Sequence, residues 1–200
     1  MKQLPTQQRA LRKRQALIDA AEQEFSESGF EVATAKSIAA RAGVAVGTFY
    51  QYFDNKHDIL REIAEQGFAE LHARIPLLDL QLADGSRDRI VSLFSETLDF
   101  VYQYHARRPE LHRVLEQRRV VDADLSEIMC RGEGVLRARV LQFVQSFNTP
   151  HAEIVASNLF AMAEGLVHRH VFEPNQHNPQ QVIQIGAEML SSYFLTHYPQ

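Results

Sequence analysis

The chain of 200 residues predicts an all-α fold, on three observations. Apolar residues recur three and four apart, as on one face of a helix, through most of its length. No run alternates Val or Ile with polar residues between glycine turns, as a half-buried strand would. The breaks in the helical pattern fall at residues that stop or start helices: Gly29, Gly43, Pro76, Pro109 and Pro179.

The elements follow in order. Arg9 to Ser28 carries Leu17, Ile18, Ala21 and Phe25 on one face, with Gly29 placed as its C-terminal cap. Thr34 is placed to N-cap a second helix, in which Ala35, Ile38, Ala39 and Ala42 share a face until Gly43 closes it. A third short helix covers residues 45–53. Asn55 caps a fourth, with Asp58 near the positive end of its dipole, running from Lys56 to about Ile75. Asp79 to Ser86 reads as a loop. Helices are then expected over Arg87–His105, Pro109–Arg119, Asp122–Phe147, His151–Phe172 and Pro179–His197.

Composition narrows the class. Hydrophobic residues make up 45%, enough for a packed core. No stretch approaches the roughly 20 apolar residues of a membrane span, and the start of the chain lacks the apolar core of a signal peptide. A single cysteine, Cys130, excludes an internal disulfide framework, so the expectation is a cytoplasmic protein. The net charge of −4 is unevenly spread: residues 1–61 hold nine Lys/Arg against seven Asp/Glu, and the acidic excess lies beyond them. Lys2, Arg9, Arg12, Lys13 and Arg14 form a basic N-terminal arm with no acid among them, suited to phosphate.

Residues 44–53, VAVGTFYQYF, hold four aromatics and no charge. With the helix before it and the AGVA joint, this stretch reads as a helix-turn-helix whose second helix can lie in a major groove. At 100° per residue, Phe49 and Phe53 share the core side, Gly47, Thr48 and Gln51 the opposite side, and Tyr50 and Tyr52 the flanks. Gly47 lets a backbone approach, and Thr48 and both phenols can donate to phosphate. Gln51 can pair with adenine N6/N7 and Val46 can touch a thymine methyl. Lys36 and Lys56 bracket the surface with positive charge, and the helix N-terminus at Lys56 adds N–H groups for an anion.

The segment ALIDAAEQEFSESGFEVATAKSIAARAGVAVGTFYQYFDNKHDIL resembles the N-terminal domain of the TetR/AcrR family of transcriptional regulators, over about residues 9–62. The resemblance rests on the paired alanines of the first helix, Phe25, Gly29-Phe30, Thr34, Ile38-Ala39, Ala42-Gly43-Val44, Gly47-Thr48, Tyr50, Phe53 and Lys56. It implies that Lys36, Val46, Gly47, Thr48, Tyr50, Gln51, Tyr52 and Lys56 occupy DNA-contacting positions, and Thr34 is added to that surface. Two departures stand out. Ala45 replaces a frequent capping Ser and Ser37 a frequent acid, so weaker capping is expected at both helices.

The resemblance implies two domains: a three-helix helix-turn-helix DNA-binding domain, residues 1–55, and a helical effector-binding and dimerisation domain, residues 56–200. It further implies a double-stranded DNA operator, a homodimer, a small-molecule effector and, in function, a repressor. The last two helices are apolar on two sides. Helix 151–172 pairs the stripe Val155, Leu159, Met162, Leu166 with Phe160, Ala163, Val167, Val171. Helix 179–197 pairs Val182, Ile185, Met189 with Ile183, Ala187, Leu190, Phe194, and Gly186 and Ala187 allow a close helix crossing. One side is expected to meet the core and the other a partner's equivalent pair, making a two-fold four-helix bundle. Candidate effector-binding residues are Phe94, Phe100, Tyr104, His112, Met129, Phe143, Glu164 and His168, large or polar groups on mainly apolar faces. His112, Glu116 and Arg119 share one helical face and either read a polar effector or pair with one another.

Catalytic and metal signatures are absent from the sequence: no HExxH, paired-cysteine spacing, P-loop or GxSxG occurs, and no cofactor or metal is expected. Cys130 reads as a small buried hydrophobe. The competing reading is a helical ligand-binding or protein-interaction module without specific DNA binding.

Overall fold

The computed structural model describes residues 7–75, 86–173 and 177–197. Among these residues every regular element is helical: α1 Gln8–Val32, α2 Ala35–Arg41, α3 Val46–Tyr52, α4 Lys56–Arg74, α5 Arg87–Arg107, α6 Pro109–Arg119, α7 Ala123–Gln145, α8 Ala152–Phe172 and α9 Pro179–His197. The expected loop at 79–85 and Lys2 of the arm lie outside the described residues.

Local chemistry accounts for the ends. Gly29 breaks the helical backbone where the sequence placed a cap: it stands at φ 77° and ψ 163°, extended and not left-handed helical, a conformation that only glycine adopts without strain, and one more turn follows that buries Phe30. Thr34 caps α2 as expected, but Ser37 strengthens the cap instead of weakening it. The Ser37 N–H donates to Thr34 Oγ1 at 3.0 Å while Ser37 Oγ accepts from the Thr34 N–H at 3.0 Å, a reciprocal box in which a hydroxyl does the work of an acid. Gly43, at φ 67°, turns the chain into α3, where Ala45 supplies no side-chain cap. Asn55 Oδ1 accepts from the N–H groups of His57 and Asp58 and starts α4.

The chain packs as two compact units, formed by the described residues of Met1–Ala69 with Arg108–Gly132, and of Glu70–Arg107 with Glu133–Gln200. The division differs from the boundary at residue 55 read from the sequence. Ile59, Leu60, Ile63 and Ala64 of α4, Leu111 and Val114 of α6, and Leu125 and Met129 of α7 close the first unit's core around Leu17, Ile18, Phe25, Ile38, Phe49 and Phe53. Helices α1, α2 and α3 cannot bury that much apolar surface alone. In this unit α7 passes so close to α4 that a Cβ on Gly132 would lie 2.3 Å from the Phe68 ring.

The second unit packs α5, α8 and α9 together with the end of α7. Its centre is a phenylalanine cluster. Phe94, Phe143 and Phe194 have centroids 5.3–6.0 Å apart, and Phe147 joins Phe143 and Phe194 at 5.2 and 4.8 Å. Gly186 lets α9 approach Leu166 of α8 and Leu98 of α5. The stripes on α9 separate as expected: Ile183, Ala187, Leu190 and Phe194 are buried, while Ile185 and Met189 are 56% and 61% exposed. On α8 the grouping read from the sequence is wrong. Leu159 is buried and Met162 is 49% exposed, so the outward apolar residues are Ile154 and Met162, not the Val155–Leu159–Met162–Leu166 row. Val155, Ala163, Leu166 and Val171 pack against the core beside the buried Ala156, Leu159 and Val167, because the two rows are neighbours around the helix and merge into one core-facing side with Met162 at its edge. No helix among the described residues is long and apolar enough to cross a membrane.

Candidate nucleic-acid interface

Helix α3 has seven residues, too few to be stable by itself, so its position comes from its anchors. Phe49 and Phe53 are buried at 0% and 3% exposure, with centroids 5.7 Å apart. The opposite surface is open: Val46 and Tyr50 are 44% and 52% exposed, Gly47 and Gln51 are exposed, and a Cβ at Gly47 would meet nothing within 4 Å. Thr48 and Tyr52 are half-buried, Tyr52 against the core. Thr34 and Lys36, at the start of α2, are exposed. One surface of the unit therefore carries a backbone-accessible glycine, an amide, hydroxyls, a methyl-bearing Val46 and a cation, the chemistry that reads base edges and positions phosphates.

Lys56 stands apart from that surface. Its Nζ donates to the carbonyls of Phe30, Glu31 and Ala33 at 2.7, 3.1 and 3.2 Å and lies 4.5 Å from the centroid of the Phe30 ring. Three donors meeting three carbonyls leave no N–H for a phosphate, so the ammonium ties the end of α1 to the start of α4. The same ring takes the Arg118 guanidinium at 4.6 Å and His57 edge-on at 4.9 Å.

Arg14 is likewise an internal residue and not part of a basic arm. It is 8% exposed, pairs with Glu62 of α4 at 2.6 Å and sits 5.2 Å from the Phe53 centroid. Its spacing to Leu17, Ile18 and Ala21 is i, i+3, i+4, i+7, a signal of the core face that the charge run obscured. Burial acts first to raise the Glu62 pKa, but the bonds from Arg14 and Gln66 win and hold it below its ordinary value. Of the arm, Arg9 and Arg12 are exposed.

Sequence reading missed Asp122, which is 6% exposed. It caps α7 by accepting from the Leu125 N–H at 3.0 Å, accepts from Arg61 at 2.9 Å and stands 3.3 Å from His57 Nδ1. Burial opposes its charge, but the Leu125 N–H, Arg61 and His57 outweigh it and hold its pKa low. The position of Asp122 just before α7 was a capping signal; its partners on α4 were not legible.

The eight effector candidates do not form one group. Met129 is buried in the first unit's core, and His112, in the same unit, stands 3.8 Å from Glu116, which also holds Arg119 at 3.3 Å. The others lie in the second unit, where Phe94 and Phe143 belong to the phenylalanine cluster and Phe100, Tyr104, Glu164 and His168 are half-buried. Burial, then the charge of Glu70, against that of Arg107, pushes the Tyr104 phenol up to about 12. His168 meets His105, which no sequence signal marked. Burial is the main cause holding His105 at about 4, with the charge of His168 adding to it and the Val101 carbonyl opposing it, so its ring is neutral. Cys130 is exposed, contrary to the buried hydrophobe expected, because its helix turns it outward beside Arg119 at 3.7 Å.

A short helix held by two buried phenylalanines across a glycine turn, with a polar outer face, defines a helix-turn-helix DNA-binding protein. Residues 17–63 match the family model of bacterial regulatory proteins of the tetR family. The fatty acid metabolism regulator protein of Bacillus subtilis (strain 168) is 39% identical over 59 residues, a match that spans 30% of either chain. The HTH-type transcriptional regulator BetI of Stenotrophomonas maltophilia (strain R551-3) is 25% identical over 182 residues, covering 84% of this chain and 86% of that protein. In fold, the fatty acid degradation regulator FadR of Bacillus halodurans superposes with a TM-score of 0.71 at 19% identity, over 95% of this chain and 96% of that one. The segment of residues 17–63 is that of the TetR family of transcriptional regulators. The protein is a ligand-responsive DNA-binding regulator and not an enzyme; regulators of this family bind operators, act as dimers and bind small-molecule effectors.

Proposed function

We propose that this protein is a homodimeric repressor, working in the cytoplasm, that places α3 of each subunit in successive major grooves of an inverted-repeat operator and is released by a small molecule bound in its second unit. The observation that carries the reading is the open face of α3, with Val46, Gly47, Tyr50 and Gln51 outward and Phe49 and Phe53 buried behind them. Thr34, Lys36, Thr48 and Tyr52 complete the surface, Lys36 as its phosphate cation; Lys56 acts by holding α4 against α1.

The dimer reading is supported by the apolar residues that α8 and α9 leave outward: Ile154, Met162, Ile185 and Met189 are each about half exposed or more. A second copy offering the same pair of helices would cover them. Met189→Glu puts a charge at the centre of that face, and sedimentation should then give a monomeric mass; an unchanged dimer would place the interface elsewhere. Effector binding is assigned to Phe100, Tyr104, Glu164 and His168, polar and aromatic groups half-buried in the second unit. An effector shifts the protein off DNA only by its preference for the released conformation.

The test is fluorescence anisotropy against labelled DNA from upstream of the protein's own gene, at two salt concentrations, with a scrambled duplex as control. Tight, salt-dependent binding to the upstream DNA alone is expected. Gln51→Ala should relax sequence preference, and Tyr50→Phe should weaken binding to any sequence. Equal affinity of Gln51→Ala and the natural protein for the upstream DNA would remove α3 as the reading helix.

A further inference from the structure

Two histidines in the second unit face each other nitrogen to nitrogen. His105, near the end of α5, and His168, near the end of α8, hold Nε2 to Nε2 at 3.3 Å, with ring centroids 5.0 Å apart. Both are half-buried, and Phe172 lies edge-on to each, at 6.2 and 5.4 Å. The other nitrogen of His105, Nδ1, is 2.8 Å from the Val101 carbonyl. A carbonyl only accepts, so the N–H is on Nδ1 and Nε2 carries a lone pair aimed at His168. A histidine whose Nδ1–H is fixed by a carbonyl while Nε2 points into a shared space has the orientation of a metal ligand with its supporting bond in place. The separation agrees. Two imidazole nitrogens at 2.0–2.1 Å from a tetrahedral ion stand about 3.3–3.4 Å apart.

We propose that His105 and His168 form a two-nitrogen site for a divalent late first-row transition-metal ion such as zinc, cobalt or nickel. The ion takes both Nε2 lone pairs. The proton now lying between the rings moves to Nδ1 of His168, so each imidazole remains neutral and no redox step is involved. Imidazole suits these ions better than magnesium or calcium, which take oxygen ligands. The two nitrogens fill two of the four positions of a tetrahedral ion, and further donors complete the set. The separation of 63 positions along the chain explains why no metal-ligand spacing shows in the sequence. The proposal stands on the second unit's own geometry and does not depend on DNA binding.

The test uses the full-length protein, stripped with chelator and dialysed. Cobalt(II) is titrated with visible absorption as the readout and zinc(II) by calorimetry, on the natural protein and on His105→Gln, His168→Gln and His170→Gln. His170 is the control, since it forms another histidine contact in this unit, with His177 at 5.9 Å between centroids. One ion per chain is expected, with an affinity loss of about tenfold or more in His105→Gln and in His168→Gln and none in His170→Gln. Unchanged titration in both variants, an equal loss in His170→Gln, or no ion taken up by the natural protein would each overturn the site. Circular dichroism checks that the variants fold. If either does not, a zinc-soaked crystal of the natural protein decides: an anomalous peak between the two Nε2 atoms supports the proposal, and its absence there overturns it.

Discussion

In the first unit charged side chains reach into the core. Arg14 meets Glu62, Arg61 meets Asp122, and the Lys56 ammonium closes three carbonyls over Phe30. At the centre of the second unit, four phenylalanines pack ring against ring. Arg14 joins α1 to α4 and packs on the Phe53 ring, so the ion pairs frame the core in which Phe49 and Phe53 anchor the seven-residue α3, whereas ring packing holds the centre of the second unit. The lesson is that the rigid surface is made by residues that never touch it.

The largest expected effect tests that lesson directly. Arg14→Ala leaves Glu62 buried without its cation and should cost about 3–5 kcal/mol, read by urea unfolding. Operator affinity should fall with it, because Phe53 loses the group packed on its ring. A variant as stable as the natural protein would end the contrast between the two interiors.

The same carboxylates make the first unit acid-sensitive. Glu62 and Asp122 have folded pKa values below their ordinary ones, so the unfolded chain binds protons first as the pH drops. Their contribution is complete above the ordinary carboxylate range and drains away as the pH falls through the depressed folded values. Urea midpoints measured from neutral pH downward should show this loss, and Asp122→Asn should flatten part of it; an identical slope in the variant would acquit Asp122.

Gly132→Ala comes next. The added methyl meets the Phe68 ring, and overpacking of this kind costs about 1–3 kcal/mol. Thermal unfolding checks it, and an unshifted midpoint would mean that Phe68 moves aside freely.

Two lysines sharpen the comparison most finely. Lys56→Met leaves three carbonyls without their donor and should cost about 1–3 kcal/mol of stability. Lys36→Ala should leave stability within about 0.5 kcal/mol, yet lower the slope of log affinity against log salt by about one. Anisotropy over a salt series beside urea melts separates the two; equal behaviour would merge their roles.

The helices, their caps at Thr34 and Asn55 and the turn at Gly43 were legible in the sequence because each is decided within four residues by hydrogen bonds and allowed φ/ψ. The division of α3 into a buried and an open face was legible for the same reason: helical period is local. The effector candidates were less so. Met129 and Phe143 look alike on their helix, and only packing assigns them to different cores.

Charge was the least legible property. Arg14 and Lys56 both look like phosphate binders in a basic segment, and both turn out to hold the fold. Whether a cation faces solvent or a carbonyl depends on partners 48 and 26 residues away in the chain. Local periodicity was thus enough to find α3 and the division of its faces. Which charges serve that face, where the two units divide, and the meeting of His105 with His168 were decided by tertiary packing, because each depends on distances between side chains on separate helices.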